Sequence, residues 1–330
     1  MNTNILIFLR IILLLIISTF ISNRICNVLI TYFNKRRVGQ EISSYLSSNH
    51  QNKKNTPTIG GIGIILSIMI SSLFIFDSYF DYQFILGIII LFLFFIIGLI
   101  DDLLKLFLKS HDGLSPLFRI LLEILIVLII YLFLDNRGVF DYSFHINEKY
   151  KVFLGPLFII FSVLLIVGSS NSVNLTDGLD GLASGLFMIA ILPFIIFLLL
   201  DNNINLVYLL VMVYGATFGF VILNLHPAKI FMGDSGSLPL GAILGYIALL
   251  SKKELLLVII GGLFVFETIS VILQVLFFKI TKKRIFLMSP FHHHLELMGK
   301  KEYTIVMGFY LIGFTLSLIG LIIGIKLWKY

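Results

Sequence analysis

Residues 171–181 read Asn-Ser-Val-Asn-Leu-Thr-Asp-Gly-Leu-Asp-Gly, a polar and acidic segment between two long apolar runs. Four of its side chains can bind a cation or hydrogen-bond a sugar, and they recur at every third position: Asn171, Asn174, Asp177 and Asp180. Because three residues turn an α-helix by about 300°, neighbours in this series share a face. A turn that caps the next helix is the alternative, since Asp and Gly are common there. The paired Asp-Gly units and the two asparagines favour a ligand site.

The apolar runs around this segment are typical of a membrane protein. Hydrophobic residues make up 58% of the chain and charged residues 13%, against about 25% charged residues in ordinary globular proteins. Runs long enough to cross a bilayer recur along the chain. We therefore predict an all-α polytopic integral membrane protein, one domain over residues 1–330, with about ten transmembrane helices: 5–32, 59–76, 84–100, 117–134, 152–168, 182–200, 205–223, 238–250, 255–278 and 304–326.

The basic residues predict the orientation of these helices. The formal net charge is +6, but the basic residues are spread over the loops between apolar runs, so a nucleic-acid partner is excluded. Fourteen Lys and Arg residues lie in the odd-numbered loops and seven in the even-numbered loops and the C-terminal end. The positive-inside rule then places the odd loops in the cytoplasm and both termini outside. Four polar motifs lie in odd loops, which predicts an active-site cleft on the cytoplasmic face: Asp101 and Asp102, residues 171–181, Asp234 and the three histidines at 292–294.

Two aspartates follow the third predicted helix. Asp101 and Asp102 come directly after an apolar run that ends at Ile100. Carboxylates at the C-terminal end of a helix are unfavourable beside the negative end of the helix dipole unless a cation compensates them. If the helix continues, Asp101 and Lys105 share a face. The pair is either a ligand or base site, or a solvated pair at the membrane interface.

Residues 231–236, Phe-Met-Gly-Asp-Ser-Gly, carry a third acidic motif. Its glycines let the backbone approach a ligand closely, and Asp234 offers oxygen to a hard cation. Phe231 is able to stack on a base. The alternative is a turn in which Asp234 caps the following helix.

A basic motif precedes the second predicted helix. Lys53 and Lys54 precede a Pro and Gly-Gly turn at 57–61, which suits a phosphate or simply orients the next helix.

Two further polar motifs lie near the C-terminal end of the chain. Glu267, Ser270 and Gln274 form one polar stripe on a helix, which either joins neighbouring helices or faces a ligand. Three consecutive histidines point in different directions, so zinc is disfavoured and a phosphate or carboxylate is the better ligand: His292, His293 and His294.

Together these motifs resemble the phospho-N-acetylmuramoyl-pentapeptide-transferase family of the polyprenyl-phosphate N-acetylhexosamine-1-phosphate transferase superfamily. The resemblance covers about residues 53–302 in the family's order. The matching stretches are Thr-Pro-Thr-Ile-Gly-Gly at 56–61, Asp-Asp at 101–102, Gly-Leu-Ser at 113–115, residues 171–183, Phe-Met-Gly-Asp-Ser-Gly-Ser-Leu at 231–238, Glu-Thr-Ile-Ser-Val-Ile-Leu-Gln at 267–274 and Pro-Phe-His-His-His-Leu-Glu at 290–296.

The resemblance implies an Mg²⁺-dependent enzyme of the bacterial inner (cytoplasmic) membrane that acts as a homodimer. It implies transfer of phospho-MurNAc-pentapeptide from UDP-MurNAc-pentapeptide to undecaprenyl phosphate, giving lipid I and UMP in peptidoglycan synthesis. Superfamily members that use UDP-GlcNAc or a related UDP-sugar are the alternative, and the uninterrupted histidine motif favours the muramoyl substrate. A transporter is a different class, which the many helices and the intramembrane Glu267 would fit. Transporters place ionisable groups near the bilayer midplane and carry internal repeats, whereas here the carboxylates gather at one interface and the sequence shows no internal repeat.

The resemblance also assigns roles by position. It implies Asp234 as the Mg²⁺ ligand, Asp101 as the base toward the lipid phosphate, Asp102 as a supporting carboxylate and Asp180 as a further catalytic residue. The implied substrate-binding residues are Lys53, Lys105, Asn171, Asn174, Asp177, Phe231, Gly233, Gln274, His292, His293 and His294. Arg119 and Glu123 depart from the pattern, because Lys and Gln are expected there, and Asn55 replaces a usual Gly.

Overall fold

The computed structural model describes residues 3–36, 56–75, 77–78, 81–108 and 113–328. These residues form twelve α-helices and one two-stranded sheet. The helices are α1 (Thr3–Arg36), α2 (Gly61–Ser72), α3 (Tyr82–Leu108), α4 (Pro116–Asn136), α5 (Leu157–Thr176), α6 (Leu182–Leu200), α7 (Ile204–Asn224), α8 (Asp234–Leu250), α9 (Glu254–Ile260), α10 (Gly262–Thr281), α11 (Phe291–Leu297) and α12 (Glu302–Leu327).

The prediction of an all-α polytopic membrane protein is confirmed. Eight helices of the described part are long and apolar enough to cross a membrane, namely α1, α3, α4, α5, α6, α7, α10 and α12. The shorter apolar helices α2 and α8 account for the other two predicted segments. The ninth predicted helix, 255–278, is interrupted at Gly261, which separates α9 from α10. The single-domain prediction over residues 1–330 stays a prediction.

Several helix boundaries differ from those predicted. α3 continues for eight residues beyond Ile100, so Asp101 and Asp102 are helical instead of loop residues. The fifth predicted helix, 152–168, is shifted toward the C-terminus, because α5 runs over Leu157–Thr176. The missing start of that helix is a hairpin, β1 (Ser143–His145) and β2 (Lys151–Phe153), with His145 opposite Lys151. Strands of three residues are too short to leave a period-two pattern in the sequence.

Helix α8 lies at the centre of the fold. Every residue from Ser235 to Leu249 is buried, and α8 packs mainly against α3 and α5. Glycines allow these close approaches, because a Cβ atom on Gly98 of α3 would lie 2.1 Å from the Asp234 carbonyl oxygen. Small residues at such contacts are common in membrane helix pairs. The start of α8 is thereby held against the C-terminal ends of α3 and α5.

Candidate active site

The turn before α8 brings Asp102 and Asp234 together. Gly233 has a φ of +71°, a conformation that glycine adopts without strain. A Cβ atom here would also lie 2.0 Å from the Thr58 carbonyl oxygen. The carboxylate of Asp102 accepts the N–H groups of Asp234 (3.0 Å) and Ser235 (2.9 Å), and so it caps the N-terminus of α8. A carboxylate is favourable at this position because the N-terminal end of a helix is positive.

The Asp234 side chain is held by groups from three other helices. Its Oδ2 accepts a hydrogen bond from Arg119 of α4 (2.8 Å) and lies 3.3 Å from the Lys105 Nζ of α3. Its Oδ1 accepts from the Asn174 amide of α5 at 2.9 Å. Asn174 also donates to the Ser237 hydroxyl at 2.9 Å. The carboxylate is therefore fixed in position, with 14% of its side chain still exposed.

Three carboxylates are arranged so that they could share a cation. One oxygen each from Asp101, Asp102 and Asp234 lies within 4.8 Å of the others. Asp101 accepts the N–H of Leu114 at 2.7 Å and forms an ion pair with Lys105, one helical turn further along α3. Clustered carboxylate oxygens are the donors that hard divalent cations prefer. The helical spacing expected for Asp101 and Lys105 is confirmed.

Asn171 belongs to a polar group behind Asp234. Its amide donates to the buried Glu123 carboxylate at 2.6 Å, and its oxygen accepts from Arg119 at 3.3 Å. Arg119 Nε lies 3.8 Å from Glu123 Oε1. Glu123 and Asn171 therefore orient the guanidinium that bonds Asp234. Arg119 and Glu123, the two helix positions that depart from the family pattern, thus carry opposite charges and lie close to each other.

Asp177 lies just after α5, with its carboxylate close to the backbone of Gly233. Burial raises the pKa of Asp177 to about 8, and the nearby charges of Asp234, Asp102 and Asp180 act in the same direction. A cation or a cationic ligand group placed here would lower this pKa. The carboxyl group thus lies between the Asp234 cluster and Asp180.

Asp180 belongs to a second cluster. Its carboxylate contacts the His226 ring nitrogen at 2.9 Å and accepts the Ala228 N–H at 3.1 Å. Its own N–H donates to Glu302 at 2.7 Å, and Glu302 lies 3.5 Å from His226. These contacts fix the loop between α7 and α8 against the start of α12. The residues at every third position therefore belong to two different clusters. Asn174 binds Asp234 directly and Asn171 binds it through Arg119, whereas Asp180 binds the loop between α7 and α8.

The polar stripe on α10 positions the histidine helix α11. The buried Glu267 carboxylate accepts the N–H groups of Phe291 (2.6 Å) and His292 (3.1 Å) at the start of α11. Gln274 accepts the N–H groups of Ile285 and Phe286 and donates to the Phe286 carbonyl. Of the two alternatives for this stripe, the contacts favour a structural one.

The three histidines have different surroundings. His292 is fully buried against Gly178, and neither of its ring nitrogens has a hydrogen-bond partner among the described residues. His293 contacts Glu296 at 2.7 Å. His294 accepts the Leu287 N–H at 3.2 Å and lies beside the rings of Phe286 and Phe291. His292 is therefore the histidine whose ring nitrogens lack hydrogen-bond partners, with Nδ1 3.4 Å from the Glu267 carboxylate and Nε2 against Gly178.

The glycine-rich turn at 56–61 lies beside the α8 turn. Phe231 donates its N–H to the Pro57 carbonyl at 2.7 Å and accepts from Gly60 at 2.9 Å. The Phe231 ring is half-buried. This pairing joins two motifs that are 170 residues apart in the chain. Lys53, predicted to bind substrate, lies outside the described residues.

Gly178 provides a test of the His292 placement. A Cβ atom on Gly178 would lie 2.2 Å from His292 Nε2, so Gly178→Ala must displace the buried ring. Displacements of about 1 Å at an active site cost up to about 100-fold in rate, and we expect a loss of at least about tenfold in turnover. Gly168→Ala is the matched control, because its Cβ atom would meet no atom within 4 Å. Equal turnover of the two variants would show that the His292 position does not matter for activity.

Sequence reasoning alone did not select four residues that the structure places in or beside these clusters: Arg119, Glu123, His226 and Glu302. Arg119 and Glu123 carried a usable signal, because charged residues inside an apolar helix usually face protein or a polar cavity. His226 and Glu302 carried none, since they are 76 residues apart and ordinary loop and helix-start residues.

Comparisons with known proteins agree with the motifs. A model of glycosyl transferase family 4 matches residues 84–252. The chain is 39% identical over 315 residues to a phospho-N-acetylmuramoyl-pentapeptide-transferase from Halalkalibacterium halodurans, covering 94% of this chain and 97% of the relative. The protein of the same name from Shouchella clausii is 41% identical over 300 residues, 90% of this chain and 92% of the relative. Another, from Oceanobacillus iheyensis, is 39% identical over 316 residues.

Proposed function

The chain belongs to the phospho-N-acetylmuramoyl-pentapeptide-transferase family, and from this premise we propose the reaction and the residues that perform it. The enzyme transfers phospho-MurNAc-pentapeptide from UDP-MurNAc-pentapeptide to undecaprenyl phosphate. An oxygen of the lipid phosphate attacks the phosphorus that bears the sugar, the diphosphate bond breaks, and UMP leaves with that bond's electron pair. The products are lipid I and UMP. The observation that carries the proposal is the cluster of three aspartates beside Lys105 and Arg119.

The cluster fits Mg²⁺ as the cofactor. Its donors are carboxylate oxygens, and Mg²⁺ binds through one or two carboxylates together with substrate phosphates. We propose Asp234 as the principal ligand, because its side chain is the most exposed of the three. It also contacts both nearby cationic groups, Lys105 of α3 and Arg119 of α4. Bound Mg²⁺ would supply positive charge for the diphosphate. Asp102 contributes mainly by fixing Asp234, since both its oxygens accept backbone N–H groups.

The protein's own residues provide positioning and charge. Phosphoryl transfer depends mostly on electrostatic stabilisation and alignment of the reacting groups. Lys105 and Arg119 point at the same Asp234 oxygen, so they are placed to meet the phosphates that bind beside it. Asp101 is the proposed base toward the lipid phosphate, and its ion pair with Lys105 keeps its carboxylate oriented. We favour direct attack by the lipid phosphate over a phosphoryl-enzyme intermediate.

The substrate contacts stay proposals residue by residue. We propose that Phe231 and Gly233 contact the uracil, and that Asn171, Asn174 and Asp177 form the nucleotide side of the cleft. We propose Lys53 near the phosphates, and His292, His293, His294 and Gln274 on the substrate's sugar-peptide side, with Asp180 holding the loop between them. The proposed role of Gln274 is indirect, because its side chain binds the backbone of Ile285 and Phe286 and so positions that loop.

The assay that tests this function measures UMP release by the purified full-length protein. With UDP-MurNAc-pentapeptide, a polyprenyl phosphate and Mg²⁺, we expect release of one UMP per lipid I formed. Omitting the lipid phosphate or chelating Mg²⁺ should reduce the release to background. UDP-GlcNAc is the discriminating substrate, and turnover of it alone would assign the protein to the other branch of the superfamily. Solute flux in proteoliposomes without any UMP release would favour a transporter.

The cellular setting is proposed on the same basis. Eight spanning helices make the protein a multi-pass membrane protein. We propose the bacterial inner membrane, with the aspartate cluster on the cytoplasmic side, because the basic residues are concentrated in the loops at that end. The family resemblance supports a homodimer, which light scattering of the purified protein measures.

A further inference from the structure

A cleft of about 470 Å³ lies at the opposite end of the fold from the aspartate cluster. Its walls come from the β1–β2 hairpin, from the turns after α6 and α8, and from the end of α12. These segments are the connections at the far ends of the membrane-spanning helices α4, α5, α6, α7 and α12. The cleft therefore lies at the level where lipid headgroups meet water, and none of its residues belongs to the transferase site.

One side of the cleft carries an excess of positive charge. The Asp141 carboxylate contacts Lys151 at 2.9 Å, Lys252 at 3.6 Å and the His145 ring at 3.1 Å. Hydrogen bonds and charges from these neighbours lower the pKa of Asp141 to about 2, although burial opposes the shift. Two lysines thus face one carboxylate, and each lysine has about half of its side chain exposed. Glu254, the next nearest carboxylate, contacts His145 at 3.7 Å but does not line the cleft, so at the cleft surface one lysine charge has no carboxylate of its own.

The other side of the cleft, formed by the hairpin tip and the end of α12, carries a negative charge. Glu148 lines the cleft beside Trp328, and its N–H donates to the Leu327 carbonyl at 3.5 Å. Among the described residues Glu148 forms no ion pair and its carboxylate accepts no hydrogen bond. A carboxylate and an indole ring that line the same cleft suit an ammonium group, which gains from the charge and from the ring face. One negative charge is left over on this side.

The cleft also has buried polar atoms that await a partner. His145 is 6% exposed, and its Nδ1 has no hydrogen-bond partner among the described residues. The nearest charged group is Glu254 of α9 at 3.7 Å, and one oxygen of this fully buried carboxylate is likewise without a partner. Buried polar atoms without partners cost free energy. His145 lines the cleft, so one of these atoms belongs to a side chain that a ligand would contact, whereas Glu254 does not line the cleft.

The floor of the cleft is rigid. The Lys253 side chain is 2% exposed, and its Nζ donates to Asp201 at 3.0 Å and to the Ser251 carbonyl at 3.1 Å and faces the rings of Phe197 and Trp328. These contacts join α6, α9 and the end of α12. The Trp328 ring is therefore held in place without a ligand.

We propose that this cleft binds a zwitterionic headgroup that carries a phosphate and a primary ammonium, as in ethanolamine phospholipids. The phosphate lies between Lys151 and Lys252, and the ammonium lies between Glu148 and the Trp328 ring. The membrane is the proposed source, because Tyr150 and Phe153 of the hairpin expose about 70% of their surface at this level, as aromatic residues do at bilayer interfaces. A soluble phosphoethanolamine shares the chemistry and is separated by experiment.

The test measures binding of short-chain lipids to the purified full-length protein in detergent. We expect phosphatidylethanolamine to bind at least about fivefold more tightly than phosphatidylglycerol, which lacks the ammonium. Lys252→Gln should weaken the binding of both lipids, whereas Glu148→Gln should remove the preference for ethanolamine and leave phosphatidylglycerol unchanged. Lys149→Gln is the matched control, because Lys149 is an exposed hairpin lysine outside the cleft.

The outcomes separate the possibilities. Saturable binding of the lipid but not of free phosphoethanolamine supports a membrane-facing headgroup site, and equal binding of both supports the same site with a soluble ligand. Equal or tighter binding of phosphatidylglycerol, or an equal effect of Lys149→Gln, would overturn the proposal. Absence of saturable binding by any of these ligands would overturn it as well. None of these readouts depends on transferase activity.

Discussion

Replacing Asp234 with asparagine is expected to abolish UMP release while the protein stays folded. The amide preserves the size of the side chain but removes the charge that Lys105 and Arg119 contact and that a cation requires. Losing one preorganised electrostatic group typically costs about 10²–10³-fold in rate, and we expect at least this loss. Initial rates at saturating UDP-MurNAc-pentapeptide and Mg²⁺ measure it, and size-exclusion profile and melting temperature report the fold.

Asp77→Asn is the control for a change of the same chemistry at an exposed position. The Asp77 side chain is 78% exposed and contacts only Arg10 among the described residues. Its variant should retain wild-type turnover. Turnover within about twofold of wild type in Asp234→Asn would remove Asp234 from the proposed metal role.

Asp102→Ala is expected to reduce both activity and stability. The Asp102 carboxylate is 4% exposed and accepts two N–H groups at the start of α8. Removing it leaves buried donors without a partner, which costs about 1–3 kcal/mol. The turn that holds Asp234 also loses its support, so turnover should fall with the stability. Asp102→Asn retains one acceptor oxygen and should be intermediate in thermal unfolding and in rate.

Asp81→Ala separates these two effects. The Asp81 carboxylate accepts the N–H groups of Gln83 (2.8 Å) and Phe84 (3.1 Å) at the start of α3, far from the aspartate cluster. Its loss should lower the melting temperature without changing the rate per folded molecule. If Asp81→Ala lowered turnover as much as Asp102→Ala at a temperature where both are folded, the position of Asp102 would not explain its effect.

The sequence was informative about the fold because the bilayer imposes a strong constraint. Apolar runs of spanning length have few alternatives to helices, and all ten predicted segments correspond to helices. The predicted boundary at Ile100 was wrong for a local reason. The helix continues through Asp101 and Asp102 because the Leu114 N–H, Lys105 and the start of α8 compensate both carboxylates, and none of these partners is visible from the adjacent sequence.

The candidate site was predictable in its membership but less so in its arrangement. The motifs at 101–102 and 234 were selected as a carboxylate site, and their oxygens do lie together. The regular spacing of Asn171 to Asp180 predicted one shared face, yet Asp180 contacts His226 and Ala228 instead. α5 ends at Thr176, and the periodicity of a helix says nothing about residues beyond its end.

The burial of α8 bears on how the chain is assembled in the membrane. α8 has 17 residues, begins with Asp234 and contacts protein along its whole length, so it is poorly suited to enter lipid alone. Its main neighbours, α3 and α5, precede it in the chain. They are synthesised before α8, so their surfaces are present for α8 to pack against when it enters the membrane. We therefore expect membrane insertion of α8 and completion of the aspartate cluster to be coupled, because both depend on the packing of α8 against α3 and α5.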